Sequence, residues 1–297
     1  MICYTISQKD SLGMNFMFDE YNNNMPSGGI SKDSRKMLDA INRQFSGPFE
    51  VSDVEKLFNR ERTKTIRLLA HWASKGWLTR IRRGLYITVP LGAKNPKTRS
   101  EDPWIVANKI FYPCYVGGWS ACEHWGLTEQ IFDSIVIFTS QKIRHSKSII
   151  QGTTFLLRPL KEEYFFGLKT VWQENAKIQV SNPSRTIVDI LNDPSAGGGM
   201  RHVNDIVKEY FSGEHRDDKK LIEYIKKLDN RTIYKRLGYV VEINKLDAPI
   251  LLEVCKNNVS AGFSLLDPTV TNRGHHIRKW NLRINVNLIE GMVNDKS

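Results

Sequence analysis

Between residues 31 and 90 the apolar positions follow helical spacing in three successive segments and then alternate. Ser31 is a candidate N-cap for the first helix, and Gly47-Pro48 ends that helix. Ser52, with Glu55 three residues later, suggests a capping box at the start of the second. A third helix is predicted over about residues 63–75. The positions expected to face the interior are Met37, Leu38, Ile41, Phe45, Val54, Leu57, Phe58, Ile66, Leu69, Ala70 and Ala73.

Two short β-prone runs follow the third helix, on either side of Arg82-Arg83-Gly84, and they predict a hairpin with a basic tip. Three helices followed by such a hairpin is the order of a winged helix-turn-helix domain. In that fold the third helix enters the major groove of DNA, and the hairpin is the wing. The sequence therefore predicts this domain over residues 31–90.

The remaining chain has a different composition. Residues 1–30 are polar and without periodicity, which predicts a flexible leader, and residues 91–100 are typical of a linker. Residues 101–297 mix helical and strand-like segments. The fold class is therefore α+β, with an N-terminal winged helix-turn-helix domain and a mixed α+β C-terminal domain that has a helical tail region. The predicted helices cover 102–111, 118–125, 183–191 and 201–258, and the predicted strands cover 135–138, 153–157, 168–171, 176–180 and 280–288.

The distribution of charge predicts a binding partner. The chain carries a net charge of +11, and residues 31–99 hold 16 Lys and Arg against 6 Asp and Glu. Positive charge concentrated on a small domain is the electrostatic footprint of binding to phosphate backbones, so we expect double-stranded DNA as a partner. No apolar run approaches the ~20 residues of a membrane helix, and no secretory signal is visible, which predicts a cytoplasmic protein without a membrane partner.

The predicted DNA contacts fall into two groups. Side chains at the start of the third helix and in the wing are expected to reach bases or the grooves, and cations around them to contact phosphates. The first group is Thr63, Lys64, Thr65, Arg67, Arg82 and Arg83; the second is Arg60, Arg62, Lys75 and Arg80, with His71 on the same helix face.

No catalytic residue, metal site or cofactor is predicted. The four cysteines form no C-x-x-C pair, which favours reduced, partly buried thiols. Gly197-Gly198-Gly199 lacks the Lys-Ser/Thr of a phosphate-binding loop, and His275-His276 is expected in an exposed polar turn. A metal-dependent DNA nuclease is the competing hypothesis. Its carboxylates and lysine would come from Glu242, Asp247, Glu253 and Lys256, although a spacing of three on a helical segment does not suit such a site.

A capped helix is predicted over residues 183–191, with Asn182 or Ser181 as the cap and Pro183 in its first turn. Arg185 and Asp189 are four residues apart on it, so they can form an ion pair along one side. We expect this pair at the surface or between domains.

Several of these segments together resemble the AbiEi family, the antitoxins of type IV (abortive infection) toxin–antitoxin modules. The resemblance spans most of residues 32–290. Its segments are Lys75-Gly76-Trp77-Leu78, Arg82-Arg83-Gly84-Leu85-Tyr86, Ser120-Ala121, His124-Trp125-Gly126-Leu127, Ser181-Asn182-Pro183-Ser184-Arg185-Thr186 through Asp189, and Trp280-Asn281-Leu282-Arg283-Ile284-Asn285. The sequence departs from the pattern at Cys122-Glu123 and in its long polar leader.

The resemblance implies an N-terminal winged-helix domain that binds inverted repeats in its own operon promoter and represses transcription. It also implies a C-terminal domain that neutralises a nucleotidyltransferase-like toxin, without a stable complex between the two proteins. A ligand-sensing transcriptional regulator with no toxin partner is the second alternative to this hypothesis.

Overall fold

The computed structural model describes residues 30–45, 47–89, 101–271 and 273–288. The predicted linker at residues 91–100 and the predicted leader, apart from Ile30, lie outside the described residues. The first part of the chain has the predicted order of elements. It consists of α1 (Lys32–Gln44), β1 (Phe49–Glu50), α2 (Val51–Phe58), α3 (Arg62–Ser74), β2 (Leu78–Arg82) and β3 (Leu85–Thr88). The three strands form an antiparallel sheet in the order β1-β3-β2.

The caps of α1 and α2 decide where these helices begin. Ser31 caps α1 as predicted, because its hydroxyl accepts the Ser34 N–H at 3.2 Å. The predicted capping box of α2 is wrong. Its cap is Glu50, whose N–H donates to the Asp53 carboxylate at 2.8 Å. Ser52 lies inside the helix because α2 begins directly after β1, whose Glu50 is still extended and paired with Leu85.

α3 buries a different face from the predicted one. Its buried residues are Thr65, Leu69 and Trp72, whereas Ile66 is 43% exposed and Ala70 is exposed. At 100° per residue, this turns the buried face by roughly a quarter turn. The reason is the bulk of Trp72, which is fully buried in an apolar cluster with residues of α1, β1, α2, α3 and the hairpin: Leu38, Ile41, Phe49, Val51, Val54, Leu69, Leu78 and Tyr86.

The second part of the chain is mixed α+β, as predicted. A six-stranded sheet has the order β6-β7-β5-β4-β9-β8, and it is parallel at β5–β7 and at β4–β9. Two of its strands, β4 and β6, were not predicted. The elements are α4 (Pro103–Phe111), β4 (Cys114–Val116), α5 (Gly118–His124), β5 (Ser134–Thr139), β6 (Lys147–Ile150), β7 (Thr153–Pro159), β8 (Leu168–Gln173) and β9 (Ala176–Ser181).

The helices that follow are not a tail. Residues of α5 through α10 and of the last strand share one buried apolar cluster, so this helical region is the largest core of the molecule. Only three residues of the β-like run at 280–288 form a strand. The elements are α6 (Pro183–Asn192), α7 (Met200–Ser212), α8 (Asp218–Leu228), α9 (Arg231–Ile243), α10 (Pro249–Asn257), β10 (Ser264–Leu265), β11 (His275–Ile277) and β12 (Leu282–Ile284). In the described part of the chain, no helix combines the length and apolar character needed to cross a bilayer.

Candidate nucleic-acid interface

A three-residue turn joins α2 to α3 and sets the direction of α3. Asn59 occupies the left-handed conformation, with φ 44°, and ends α2 through an N–H bond to the Glu55 carbonyl. Asparagine tolerates that conformation better than most residues do. Because Leu69 and Trp72 pack inward against the apolar cluster, the opposite side of α3 faces solvent.

We name this exposed side, with Arg60 of the preceding turn, the basic face. Its residues on α3 are Thr63, Lys64, Ile66, Arg67, Ala70 and His71. Of the eleven side chains predicted to contact DNA, ten are exposed: Arg60, Arg62, Thr63, Lys64, Arg67, His71, Lys75, Arg80, Arg82 and Arg83. Thr65 is the exception. Its side chain is fully buried and its hydroxyl donates to the Glu61 carbonyl at 3.0 Å, so the prediction that Thr65 contacts DNA is withdrawn.

Three of these cations already have carboxylate partners. Arg62 contacts Glu55 at 3.3 Å, Lys64 contacts Glu61 at 3.2 Å, and Arg82 contacts Glu50 at 3.8 Å. All three pairs involve a well-exposed cation, and such pairs contribute about 0–1 kcal/mol, so a phosphate can replace the carboxylate at little cost. Within the described residues no carboxylate lies within ion-pair distance of the other cations, Arg60, Arg67, His71, Lys75, Arg80 and Arg83.

The hairpin tip, residues 82–84, is held against the start of α2. The Val51 N–H donates to the Gly84 carbonyl at 3.1 Å, and Gly84 makes the turn with φ 81°. Arg83 occupies the turn itself and is exposed. Lys109 of α4 contacts Asp53 in the first turn of α2 at 3.2 Å. The hydrogen bond between Val51 and Gly84 therefore holds the turn that carries Arg83 against the start of α2.

A cleft of about 500 Å³ lies between the first part of the chain and α4. Pro48 and Glu50 form one wall, and Ile105, Lys109 and Tyr112 form the other. The ligand-sensing alternative would require such a cavity, and its polar side chains are Glu50, Asn108, Lys109 and Tyr112. Of these, Lys109 is paired with Asp53. Nothing in its lining selects a particular ligand.

The second part of the chain contains a buried charge cluster in place of the predicted surface or interdomain pair. Asn182 caps α6 as predicted, accepting the Arg185 N–H at 2.9 Å. Arg185 is fully buried, and its Nε lies 2.9 Å from a carboxylate oxygen of Asp189. The Tyr115 hydroxyl donates to the other oxygen at 3.0 Å. The pair is internal because Tyr115 on β4 and the ring of Phe166, 4.1 Å from the guanidinium carbon, cover it.

Burial dominates the electrostatics of this cluster. It raises the pKa of Asp189 to about 6, while Arg185 and the Tyr115 hydroxyl act in the opposite direction. The carboxylate is therefore ionised at neutral pH only because its two partners hold it there. Sequence spacing alone could suggest the Arg185–Asp189 pair but not Tyr115, which is 74 residues from Asp189 in the chain.

Two of the residues in the nuclease hypothesis approach each other, because Lys256 of α10 is among the groups that lower the pKa of Glu242 on α9. The Glu242 carboxylate, however, already accepts hydrogen bonds from Lys279 and Trp280. Across the described ranges, no group of three or more His, Cys, Asp or Glu side chains is placed to hold a metal ion. His275 and His276 are exposed as expected, but they lie in β11 and not in a turn.

The glycine run lies at the start of a helix, and the described thiols are more deeply buried than the sequence predicts. Gly198 and Gly199 have φ of 82° and 93° and lead into α7, so the glycine run is a helix start. Cys114, Cys122 and Cys255 are free thiols, and all three are buried. Burial raises the pKa of Cys114 and of Cys255 to about 12. Cys3 lies outside the described residues.

Comparisons with known proteins give a fold and no family. No family model matches the chain, and no curated protein matches it in sequence. The structure is similar to the crystal structure of the RV2827C protein from Mycobacterium tuberculosis. The TM-score is 0.57 at 13% identity, and the alignment covers 87% of this chain and 94% of that one. At so low an identity the likeness shows a shared α+β fold alone.

Proposed function

We propose that residues 31–89 are a winged helix-turn-helix domain and that the protein is a non-enzymatic, DNA-binding transcriptional regulator of the cytoplasm. The observation that carries this proposal is the basic face of α3. Arg67 is exposed there without a carboxylate partner among the described residues, and Arg83 is exposed in the same way at the hairpin tip. Two exposed cationic surfaces on one small unit suit a duplex, which offers phosphates on both sides of each groove.

In this proposal α3 lies in the major groove. Its outward stripe, Thr63, Lys64 and Arg67, is then close to base edges, and Arg67 can donate two hydrogen bonds to a guanine. Arg60, Arg62, Lys75 and Arg80 surround the stripe and would contact phosphates. The hairpin tip would place Arg82 and Arg83 at the next phosphates or in the minor groove.

The test is the salt dependence of binding to the DNA directly upstream of the protein's own reading frame. For B-DNA the slope of log affinity against log salt is about −0.9 per neutralised phosphate. The double variant Arg82→Ala/Arg83→Ala should therefore bind more weakly and show a slope smaller in magnitude by about two. The matched control is Lys219→Ala/Lys226→Ala, which removes the same charge from exposed positions of α8 and should leave the slope unchanged. Equal slopes for the wild type and the hairpin variant would refute the hairpin assignment.

We further propose that this regulator represses its own operon by binding inverted repeats and acts as the antitoxin of a type IV module. The support is the resemblance to the AbiEi family, together with a second part of the chain that has its own large core and little net charge. That second part, residues 101–297, would neutralise a nucleotidyltransferase-like toxin.

The neighbouring reading frame gives the direct test of the antitoxin proposal. A co-transcribed nucleotidyltransferase-like gene should stop growth when expressed alone, and growth should return when this protein is co-expressed. If the neighbouring gene is harmless, or if its toxicity persists with this protein present at equal level, the antitoxin proposal fails while the DNA-binding proposal stands.

A further inference from the structure

One large apolar side chain lies at the edge of the basic face. Ile66 is 43% exposed, and before residue 101 it is the only large hydrophobic side chain of the described residues with such exposure. An isolated exposed isoleucine on a surface needs no explanation. This one is next to Arg67, on the surface that the proposed function presents to DNA.

The helix geometry places Ile66 at one edge of the basic face. The centre of that face on α3 is formed by Thr63, Arg67 and Ala70, and its opposite edge by Lys64 and His71. Toward the centre of that face the neighbours of Ile66 are Thr63, three residues before it, and Ala70, four residues after it, and both side chains are small. On its other side Leu69 is buried and Arg62 is paired with Glu55, so the Ile66 side chain remains partly exposed.

The major groove offers one apolar group to such a side chain. Each base-pair edge presents hydrogen-bond donors and acceptors, and only thymine adds a methyl group, at C5. We infer, on the basis of the proposed DNA-binding function, that Ile66 contacts a thymine methyl and makes α3 select an A·T pair next to the base pair that Arg67 contacts. The positive charge of Lys64 and Arg67 on the same face favours a duplex over a second copy of this chain as the partner.

The inference is tested by removing the methyl groups from the DNA. The fragment upstream of the reading frame is amplified once with dTTP and once with dUTP, so that the second product has uracil in place of thymine. Wild-type protein should bind the uracil fragment at least about four-fold more weakly, because burial of one methyl-sized group contributes ~0.8 kcal/mol. For Ile66→Ala the ratio of the two affinities should fall to near one, and Ile66→Val should keep most of it.

Arg83→Ala is the matched control. Its contact is proposed at phosphates or in the minor groove, where no thymine methyl lies, so it should weaken binding to both fragments by the same factor and keep the wild-type ratio. Sedimentation of wild type and Ile66→Ala, without DNA, checks whether Ile66 joins two copies. An equal loss of affinity for both fragments in Ile66→Ala, or dissociation of a dimer by it, overturns the inference while DNA binding stands. Absence of binding to the upstream fragment by wild type overturns the proposed function as well.

Discussion

Replacing Arg185 by methionine should make the stability of the protein fall with rising pH. In the wild type the Asp189 carboxyl, whose pKa is about 6, is held in its ionised form by Arg185 and the Tyr115 hydroxyl. Without Arg185 the burial of Asp189 remains and its counterion is gone, so its pKa rises well above 6. Between pH 6 and pH 8 the native wild type then releases a proton that the native variant retains.

The sign and size follow from linkage. Stability increases with pH when the unfolded state binds more protons than the native state, and it decreases when the native state binds more. The Asp189 carboxyl of the wild type is about half protonated at pH 6. Relative to the wild type, Arg185→Met should therefore lose stability with a slope that reaches about 1.4 kcal/mol per pH unit above pH 7. At pH 8 the total loss should reach roughly 3–5 kcal/mol, which is typical of a buried pair with one partner removed.

Urea unfolding followed by tryptophan fluorescence at pH 6, 7 and 8 measures this loss. The double variant Arg185→Met/Asp189→Asn has no ionisable group at either position, while its amide oxygen can still accept the bond from Tyr115. It should therefore recover stability relative to the single variant at pH 8 and show a wild-type slope between pH 7 and 8. A loss in Arg185→Met that is the same at pH 6 and pH 8 would refute the assignment of Asp189 as an ion-paired carboxylate.

Three further outcomes are expected. Gly238→Ala should destabilise the protein by about 1–3 kcal/mol in thermal or urea unfolding, because the added methyl group would overlap the Trp280 ring. This loss is expected although alanine favours helices over glycine, and unchanged stability would contradict the packing of Trp280 on Gly238. In a Cys3→Ser protein at pH 8, Ellman's reagent should label no thiol until the protein unfolds, because Cys114, Cys122 and Cys255 are buried. Rapid labelling of the native protein would show that one of these thiols is accessible. Lys109→Ala should cost less than about 1 kcal/mol, because its ion pair with Asp53 is partly exposed, and a larger loss would indicate an unrecognised role at the interface with α2.

Local signals in the sequence predicted most helices and strands. The buried face of α3 depends instead on tertiary packing. Ser31, Asn182 and Gly84 mark a helix start, a second helix start and a turn, because each acts on residues within four positions. The buried face of α3 was misassigned because Ile66 and Trp72 each fit a helical repeat, and only the space between α1 and the hairpin selects Trp72.

Two other features depended on contacts between distant parts of the chain. Strand β4 is three buried residues long, so it has no alternation to detect, and it exists because β5 and β9 flank it. The burial of Arg185 likewise depends on Tyr115, which β4 brings to it. In the candidate interface, sequence reasoning identified ten exposed side chains, but it placed Ile66 in the interior because exposure is not encoded by spacing alone.

Both parts of the molecule have exposed ion pairs, but among the described residues the buried cations lie in the second part. In the first part every ion pair leaves its cation well exposed, so Arg62, Lys64 and Arg82 can exchange a carboxylate for a phosphate. In the second part the buried cations Arg185, Lys235 and Arg236 are bound to internal carboxylate or carbonyl oxygens, where exchange would leave a buried polar group without a partner. Only the first kind of charge can form a reversible nucleic-acid interface. Under the proposed function, substitutions on the basic face should therefore weaken binding to the upstream DNA fragment and leave the unfolding of the second part unchanged. Substitutions at Arg185 should change that unfolding and, at pH 6, where the second part remains folded, leave DNA binding unchanged.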